Sequence, residues 1–315
     1  MRVIICTHEA DIDGMYSASV ALMRFPRAKV SFYNYGLNNF KKMFDNLKYE
    51  SKTKHGLAII SDLGINDDNL SDLCVESIQY LKKRHWSVIW VDHHPWHRKS
   101  LMSIRKLVKL FHDSSGKKCA TELMYEKFMH KNKNAEQLKS IAHSSDFMIN
   151  VKNHDSRLSE LIHFYKNGAN SKQYLESLVQ KASKGILWDS EMQKDYTKFI
   201  KICDFQRKES LKTLTIKKVL SLKVAFAFTY PYVQTSLFSH ELFSNKKIDL
   251  AMLFNRRGKV SIRRNTDRIS CNKIASHLVE GGGHDFASGG KLQSKPRDIK
   301  ACIKEMEDAI IRTLT

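Results

Sequence analysis

Four short apolar runs, Val3 to Cys6, Val30 to Tyr35, Leu57 to Ile60 and Val88 to Val91, are separated by stretches with a different rhythm. Gly14 to Met23, Asn39 to Leu47 and Asn69 to Lys82 place their apolar residues at a 3.6-residue spacing, the signature of helices with one buried face. Strands that alternate with helices pair in parallel through crossovers. Strands this apolar also need cover on both faces. The pattern therefore predicts an α/β fold, a doubly wound parallel sheet. From Lys117 to about Leu214 the chain reads as helical, with no proline between Pro95 and Pro231. Beyond it lie strand-like Val224 to Thr229, Ile248 to Phe254 and Lys259 to Arg263, the last two flanking the turn Asn255-Arg256-Arg257-Gly258. A helix from Asn272 to Val279 is expected to run into a glycine-rich loop, and a last amphipathic helix to cover Arg297 to Ile311. The expected division is a first domain over 1–185, a helical linker over 186–218 and a smaller α/β domain over 219–315.

Three of the first domain's strands lead directly into acidic and imidazole side chains: Thr7-His8-Glu9-Ala10-Asp11-Ile12-Asp13-Gly14, Ser61-Asp62-Leu63-Gly64 and Val91-Asp92-His93-His94-Pro95. The carboxyl ends of parallel strands line the ligand crevice of such sheets, so the three segments should converge. One such residue after one strand is ordinarily a turn or cap; three together point to a site. Carboxylates sharing a pocket must be protonated or neutralised. The set His8, Asp11, Asp13, Asp62 and His93, with no thiolate beside it except core-facing Cys6, suits hard or borderline ions, Mn²⁺ first and Mg²⁺ also. Two divalent ions would neutralise the carboxylates and activate water for attack on phosphorus.

These motifs, in this order, resemble the DHH/DHHA1 phosphoesterase superfamily, which includes RecJ-like exonucleases, nanoRNases and cyclic-dinucleotide phosphodiesterases. Asp92-His93-His94 is similar to the motif behind the name, and Ile89 to Trp96 reads most like the NrnB-like oligoribonuclease branch. Ala142-His143-Ser144-Ser145-Asp146 is similar to a later helix-borne motif. Gly281-Gly282-Gly283-His284 with Ala287-Ser288-Gly289-Gly290 resembles the DHHA1 signature. Five of the thirteen glycines fall there. The resemblance implies a DHH catalytic domain, a DHHA1 substrate-binding domain, and one metal on His8, Asp11 and Asp62 with a second on Asp13, Asp62, His93 and Asp146. Asp92 would orient an imidazole and His94 would contact the scissile phosphate. Glu9 and Asp155 remain alternatives to the assigned ligands. Cys119-Ala120-Thr121-Glu122 is similar to a structural helix start.

Gly281, Gly282 and Gly283 suit backbone N–H groups approaching an anion, with His284 donating to phosphate. Between residues 256 and 268 six basic residues face the single acid Asp267, a segment suited to phosphates. Arg263 and Arg264 alternate across a strand, so only one can face the cleft; Ser261-Ile262-Arg263 resembles the family's Ser-Ile/Leu-Arg pattern, which implies that Arg263 faces substrate. His112, His143 and His154 read as surface or helix residues. The formal charge of +20 fits either a polyanion-binding face or a lysine-rich solvated surface, since 38 of the 53 basic residues are Lys.

No window approaches the roughly 18 to 20 apolar residues of a membrane helix, and the N-terminus runs straight into a strand, so a cytoplasmic protein without membrane contact is expected. Six isolated cysteines point to reduced thiols rather than disulfides or structural zinc. The expected activity is a two-metal phosphodiesterase or exonuclease that cleaves short single-stranded RNA or DNA through a metal-bound water. The alternative is a small-molecule phosphoesterase acting on 3′-phosphoadenosine 5′-phosphate or cyclic dinucleotides. A homodimer is compatible with either. A silent nucleic-acid-binding relative would have shed titratable residues from these motifs, and all are retained.

Overall fold

The computed structural model describes residues 1–52, 55–65, 68–147, 149 and 153–315. It divides into two units, Met1–Tyr196 and Thr197–Thr315. The first opens with β1 (Arg2–His8), α1 (Ile12–Arg24), β2 (Lys29–Tyr33), α2 (Leu37–Glu50), β3 (Gly56–Ser61), α3 (Asp68–Lys83) and β4 (Trp86–Asp92). Then come α4 (Arg98–Arg105), β5 (Lys109–His112), and the helices α5 (Ala120–Phe128), α6 (Lys133–Asp146), α7 (Asn153–Asn167), α8 (Ser171–Ser183) and α9 (Ser190–Lys212), the last of which begins in the first unit and runs into the second. The five strands pair in parallel in the order β2-β1-β3-β4-β5.

Alternation along the strands builds two cores. Ile5, Ile59 and Val91 join α1 and α5 to α8 on one face, whereas Ile4, Cys6, Ala58, Ile60 and Trp90 join α2, α3 and α4 on the other. Because β1 has β2 on one side and β3 on the other, the strand order reverses between β1 and β3. In sheets of this kind the carboxyl ends at such a reversal are where a ligand crevice forms.

The second unit contains β6 (Thr215–Val219), β7 (Leu222–Thr229), α10 (Thr235–Lys246), β8 (Leu250–Asn255), β9 (Lys259–Arg264), α11 (Cys271–Ala275), β10 (Val279–Gly283), β11 (Ala287–Lys291) and α12 (Ile299–Leu314). These form a mixed sheet, β10-β11-β9-β8-β7-β6, in which β7 and β8 are parallel and the other neighbours antiparallel. Phe226, Met252, Phe254 and Ile262 pack under α11 and α12, and Ala225, Ala227 and Leu253 under α10.

The glycine-rich segment departs from expectation. The helix before it stops at Ala275, and Gly281 to Gly283 lie in β10, an edge strand hydrogen-bonded to β11, instead of in a loop after a helix. Packing is the reason: a Cβ at Gly281 would lie 1.6 Å from the Ala275 carbonyl oxygen, so the hairpin folds tightly back on α11. A Cβ at Gly282 meets nothing within 4 Å. No helix among the described residues is long and apolar enough to cross a membrane.

Candidate metal centre

His8 ends β1, and Asp11 caps the following helix, its Oδ1 accepting from the Gly14 N–H at 2.9 Å. Asp13 sits in the first turn of α1, buried, and its carboxylate faces the start of α5. Oδ2 accepts from Ala120 N and Oδ1 from Thr121 N, both at 2.8 Å, so two otherwise orphaned helix donors hold it in place. Asp62 follows β3 with φ of 56°, in the left-handed region that Asp enters more readily than most residues. That backbone turns its carboxylate towards the other two strand ends. Gly64 then allows the next loop to close, since a Cβ there would lie 2.7 Å from His94 Cβ.

Around Asp62 the imidazoles gather. His8 Nδ1 lies 3.5 Å from Asp62 Oδ2 and 2.8 Å from Asp11 Oδ2, and His93 Nε2 lies 3.4 Å from Asp62 Oδ1 and 3.6 Å from Asp13 Oδ2. The other nitrogen of His93 lies 3.7 Å from Asp146, at the end of α6. Among the described residues three groups are close enough to hold an ion: His8 with Asp11 and Asp62, Asp13 with His93 and Asp146, and Asp62 with His93 and His94. The third is weakest chemically. His94 Nδ1 already bonds Asp92 Oδ1 at 2.9 Å, and its Nε2 meets the Tyr35 hydroxyl at 3.0 Å.

Electrostatics describe a pocket with too much negative charge for its water. Burial, then the carboxylates of Asp11 and Asp13, push Asp62 up to about 7; burial and Asp13 push Asp146 up to about 6. Burial acts to lower His8 and His93, but their neighbouring carboxylates outweigh it and raise them to about 10 and about 9. The pocket thus recruits protons to offset its carboxylates, a task divalent cations perform without them. Two atoms at its centre, His8 Nδ1 and Asp62 Oδ2, are buried without a well-aligned hydrogen-bond partner, although Asp11 Oδ2 lies 2.8 Å from His8 Nδ1. An unpaired buried polar atom is costly, and two facing one another with Asp11 alongside fit a cation. The donor set, carboxylate oxygens and imidazole nitrogens without sulfur, suits a hard or borderline divalent ion.

The structure therefore brings together His8, Asp11, Asp13, Asp62, Asp92, His93, His94 and Asp146. Asp62 belongs to the first group, and His93 connects it to the second. The two alternatives lie elsewhere: the Glu9 carboxylate is directed to Asn34 at 3.4 Å and Lys166 at 3.9 Å, and Asp155, buried on α7, belongs to none of the three groups. Asp92 is fully buried and holds His94 through its side chain and its N–H. Sequence reading missed three partners. Trp96 Nε1 donates to Asp92 Oδ2 at 2.5 Å, Tyr35 contacts His94 and sets its ring 4.4 Å from that of His8 at a 47° tilt, and His112, expected on the surface or a helix, places Nε2 2.7 Å from the His94 carbonyl. Trp96 lies four residues beyond Asp92, and that proximity was the available signal; Tyr35 and His112 carried none. His143 pairs with Glu122 at 2.7 Å, one turn before Asp146, while the side chain of His154 lies outside the described residues.

In the second unit Arg263 is half-buried, and its guanidinium donates to the Ile262 carbonyl at 3.0 Å. Arg264 is tied to Asp267 at 2.7 Å and Arg268 to Asp249 at 3.0 Å. Arg263 is thus without a carboxylate partner among the described residues. It pairs in register with Ala287, beside the exposed hairpin tip on which His284 stacks against Phe286 at 5.3 Å.

A solved structure described as a DHH domain from a member of a family of ribosomal proteins is similar over 99% of this chain and 87% of its own, at 16% identity and a TM-score of 0.63. An uncharacterized protein from Helicobacter pylori G27 is 19% identical over 98% of this chain and 99% of its own, with a TM-score of 0.45. An exopolyphosphatase-related protein from Bacteroides fragilis is 13% identical over 97% and 91%, with a TM-score of 0.48. No curated protein matches the chain significantly. The model of the DHH family, N-terminal domain, matches residues 2–149, the stretch that carries all eight clustered side chains. The chain thus carries a DHH family N-terminal domain over residues 2–149, the parallel-sheet part of its first unit.

Proposed function

We propose that the protein is a divalent-metal-dependent phosphodiesterase that hydrolyses short single-stranded oligonucleotides, with Mn²⁺ the best-suited ion and Mg²⁺ able to replace it. The observation that carries this reading is the pair His8 Nδ1 and Asp62 Oδ2, buried without a well-aligned hydrogen-bond partner near the carboxylates of Asp11, Asp13 and Asp146. When bound, divalent ions neutralise such carboxylates and a phosphodiester and lower the pKa of water. His8, Asp11 and Asp62 would hold one ion, and Asp13, His93 and Asp146, with Asp62 shared, the other. The chain's own residues do the rest. The α5 N-terminus fixes Asp13, so that its carboxylate needs no reorganisation when an ion arrives. Asp92, locked by Trp96, orients His94 and, against the effect of burial, favours its protonated form; its Nε2 meets the Tyr35 hydroxyl, which a phosphate oxygen would replace as acceptor. On the second unit, Arg263, the backbone of Gly281 to Gly283 and His284 would hold nucleotide phosphates. The guanidinium, without a carboxylate partner among the described residues, and the open space at Gly282 support that role.

The test is a panel: the metal-stripped protein, reloaded with Mn²⁺ or Mg²⁺, against two-, five- and twenty-nucleotide RNA and DNA, cyclic dinucleotides and 3′-phosphoadenosine 5′-phosphate. The expected result is Mn²⁺-dependent hydrolysis with the highest kcat/KM on the two- and five-nucleotide strands, abolished by Asp62→Ala. Hydrolysis confined to the bisphosphate or cyclic substrates would replace the oligonucleotide reading with the small-molecule one. Wild-type rates in a folded Asp62→Ala variant would overturn the metal assignment.

A further inference from the structure

The basic residues of the second unit separate into two places. Arg263 and the glycine hairpin occupy one end of the sheet, because β9 pairs Arg263 with Ala287 and Ala251. The turn carrying Arg256 closes the other end, beyond Val260 and Phe254, about 10 Å or more along the strand from Arg263. There the segment leading to α12 is fastened to the turn by Leu292 N donating to the Gly258 carbonyl at 2.8 Å. The two bound a concave cavity of about 690 Å³, within the size range of small-ligand sites.

Its lining is chemically selective. Phe228, from the end of β7, and Tyr230 meet edge to face at 5.3 Å and 86°, giving a partly exposed aromatic wall. Arg256, Lys295 and Arg297 surround it, with Pro296 between the last two. None of the three cations forms an ion pair with a carboxylate among the described residues, whereas Arg264 and Arg268 do. Three exposed cations beside partly exposed aromatic surface call for a ligand with both anionic oxygens and a flat apolar body. Inorganic anions would leave the rings uncovered, and a purely apolar ligand would leave the cations unmatched.

We propose that this cavity is a nucleoside-phosphate site, distinct from Arg263 and the glycine hairpin, in which a nucleobase packs on Phe228 and Tyr230 and its phosphate is held by Arg256, Lys295 and Arg297. The same chemistry is offered by a free nucleotide and by one residue of a strand. The site stands on residues of the second unit alone and does not depend on the metal centre being catalytic.

The experiment uses the full chain carrying Arg263→Ala, so that binding at the glycine hairpin does not mask the cavity, with EDTA present so that nothing is hydrolysed. Titrations with AMP, with a fluorescein-labelled five-nucleotide RNA and with inorganic phosphate are compared before and after Lys295→Ala/Arg297→Ala and, separately, Tyr230→Leu. All three altered side chains are at least partly exposed, and thermal unfolding checks that the variants remain folded. The expected result is saturable binding of AMP or of the RNA, weakened at least about tenfold by the double variant and about fivefold or more by Tyr230→Leu, in line with base stacking on an aromatic ring. AMP binding identifies a free nucleotide as sufficient, and binding of RNA alone identifies a strand residue; either supports the site. No binding of both probes, binding insensitive to either variant, or displacement of AMP by phosphate at equal concentration would overturn it.

Discussion

Replacing Asp62 with Asn should stabilise the metal-free protein while abolishing its response to Mn²⁺. Asp62 is 1% exposed and its carboxyl is lifted from 3.8 to about 7 by burial and by Asp11 and Asp13. At roughly 1.4 kcal/mol for each tenfold change in proton affinity, keeping it ionised costs the folded state at most on the order of 4 kcal/mol. Asn is isosteric, carries no charge and tolerates the φ of 56° at this position, so it introduces no backbone penalty. Weakened contacts with His8 and His93 reduce the gain; about 2 kcal/mol remains, or a rise in Tm of about 4–8 °C for a unit of this size. The sign with pH is definite. The folded-state pKa lies above the unfolded one, so the native state keeps a proton that the unfolded chain has lost, and wild-type stability from this group falls as pH rises from about 4 to 7. The advantage of Asp62→Asn should open over that window and vanish below it. His8 and His93, also raised, contribute stability in full below about 6.5 and lose it as pH rises through about 9 to 10. Thermal unfolding at pH 8 in EDTA reads the first effect. Mn²⁺ at a hundred times its Kd should then raise the wild type by about 2.7 kcal/mol and leave the variant unmoved, narrowing or reversing their order. A variant less stable than wild type in EDTA at pH 8, or equal Mn²⁺ shifts in both proteins, would disprove this account of Asp62.

Asp13→Ala removes the acceptor of two helix N–H groups as well as a candidate ligand, and should cost about 2–4 kcal/mol in metal-free urea unfolding, unlike Asp62→Asn. Trp96→Phe deletes the donor to Asp92 Oδ2 and should lower kcat about tenfold while Mn²⁺ affinity by calorimetry stays within about threefold, because it acts through the orientation of His94. Gly281→Ala should disrupt the hairpin, costing more than about 2 kcal/mol in denaturant unfolding, since its Cβ would meet the Ala275 carbonyl. Gly282→Ala, with open space around it, should leave stability within about 1 kcal/mol and raise KM for an oligonucleotide, and an unchanged KM would remove the backbone of Gly282 from substrate binding.

Much of the first unit was readable because its information is local. Apolar runs and helical periodicity predict β1 to β4 and α1 to α3, and parallel strands deliver whatever follows them to one edge of a sheet. His8, Asp11, Asp62 and His93 could therefore be grouped from their places after strands before any distance was known. The second unit was less legible. The apolar residues of α10 follow no helical period, and β10 and β11 are so rich in glycine that neither carries a strand's usual side-chain signal. Tertiary packing decides their form: the α11 backbone admits only glycine at 281, which draws the chain back into a hairpin.

Within the site, linear order is enough to say which chemical groups arrive, because motif residues are fixed to strand ends by the chain. It does not say what holds them. Asp13 meets Ala120 and Thr121 across more than a hundred residues, Tyr35 reaches His94 from a different crossover, and the burial that raises Asp62 depends on helices packed around it. Hydrogen-bond direction and desolvation are properties of three-dimensional neighbours, so it is the packed fold that selects which carboxylate is pinned, which imidazole is oriented and which buried atoms are left for a cation.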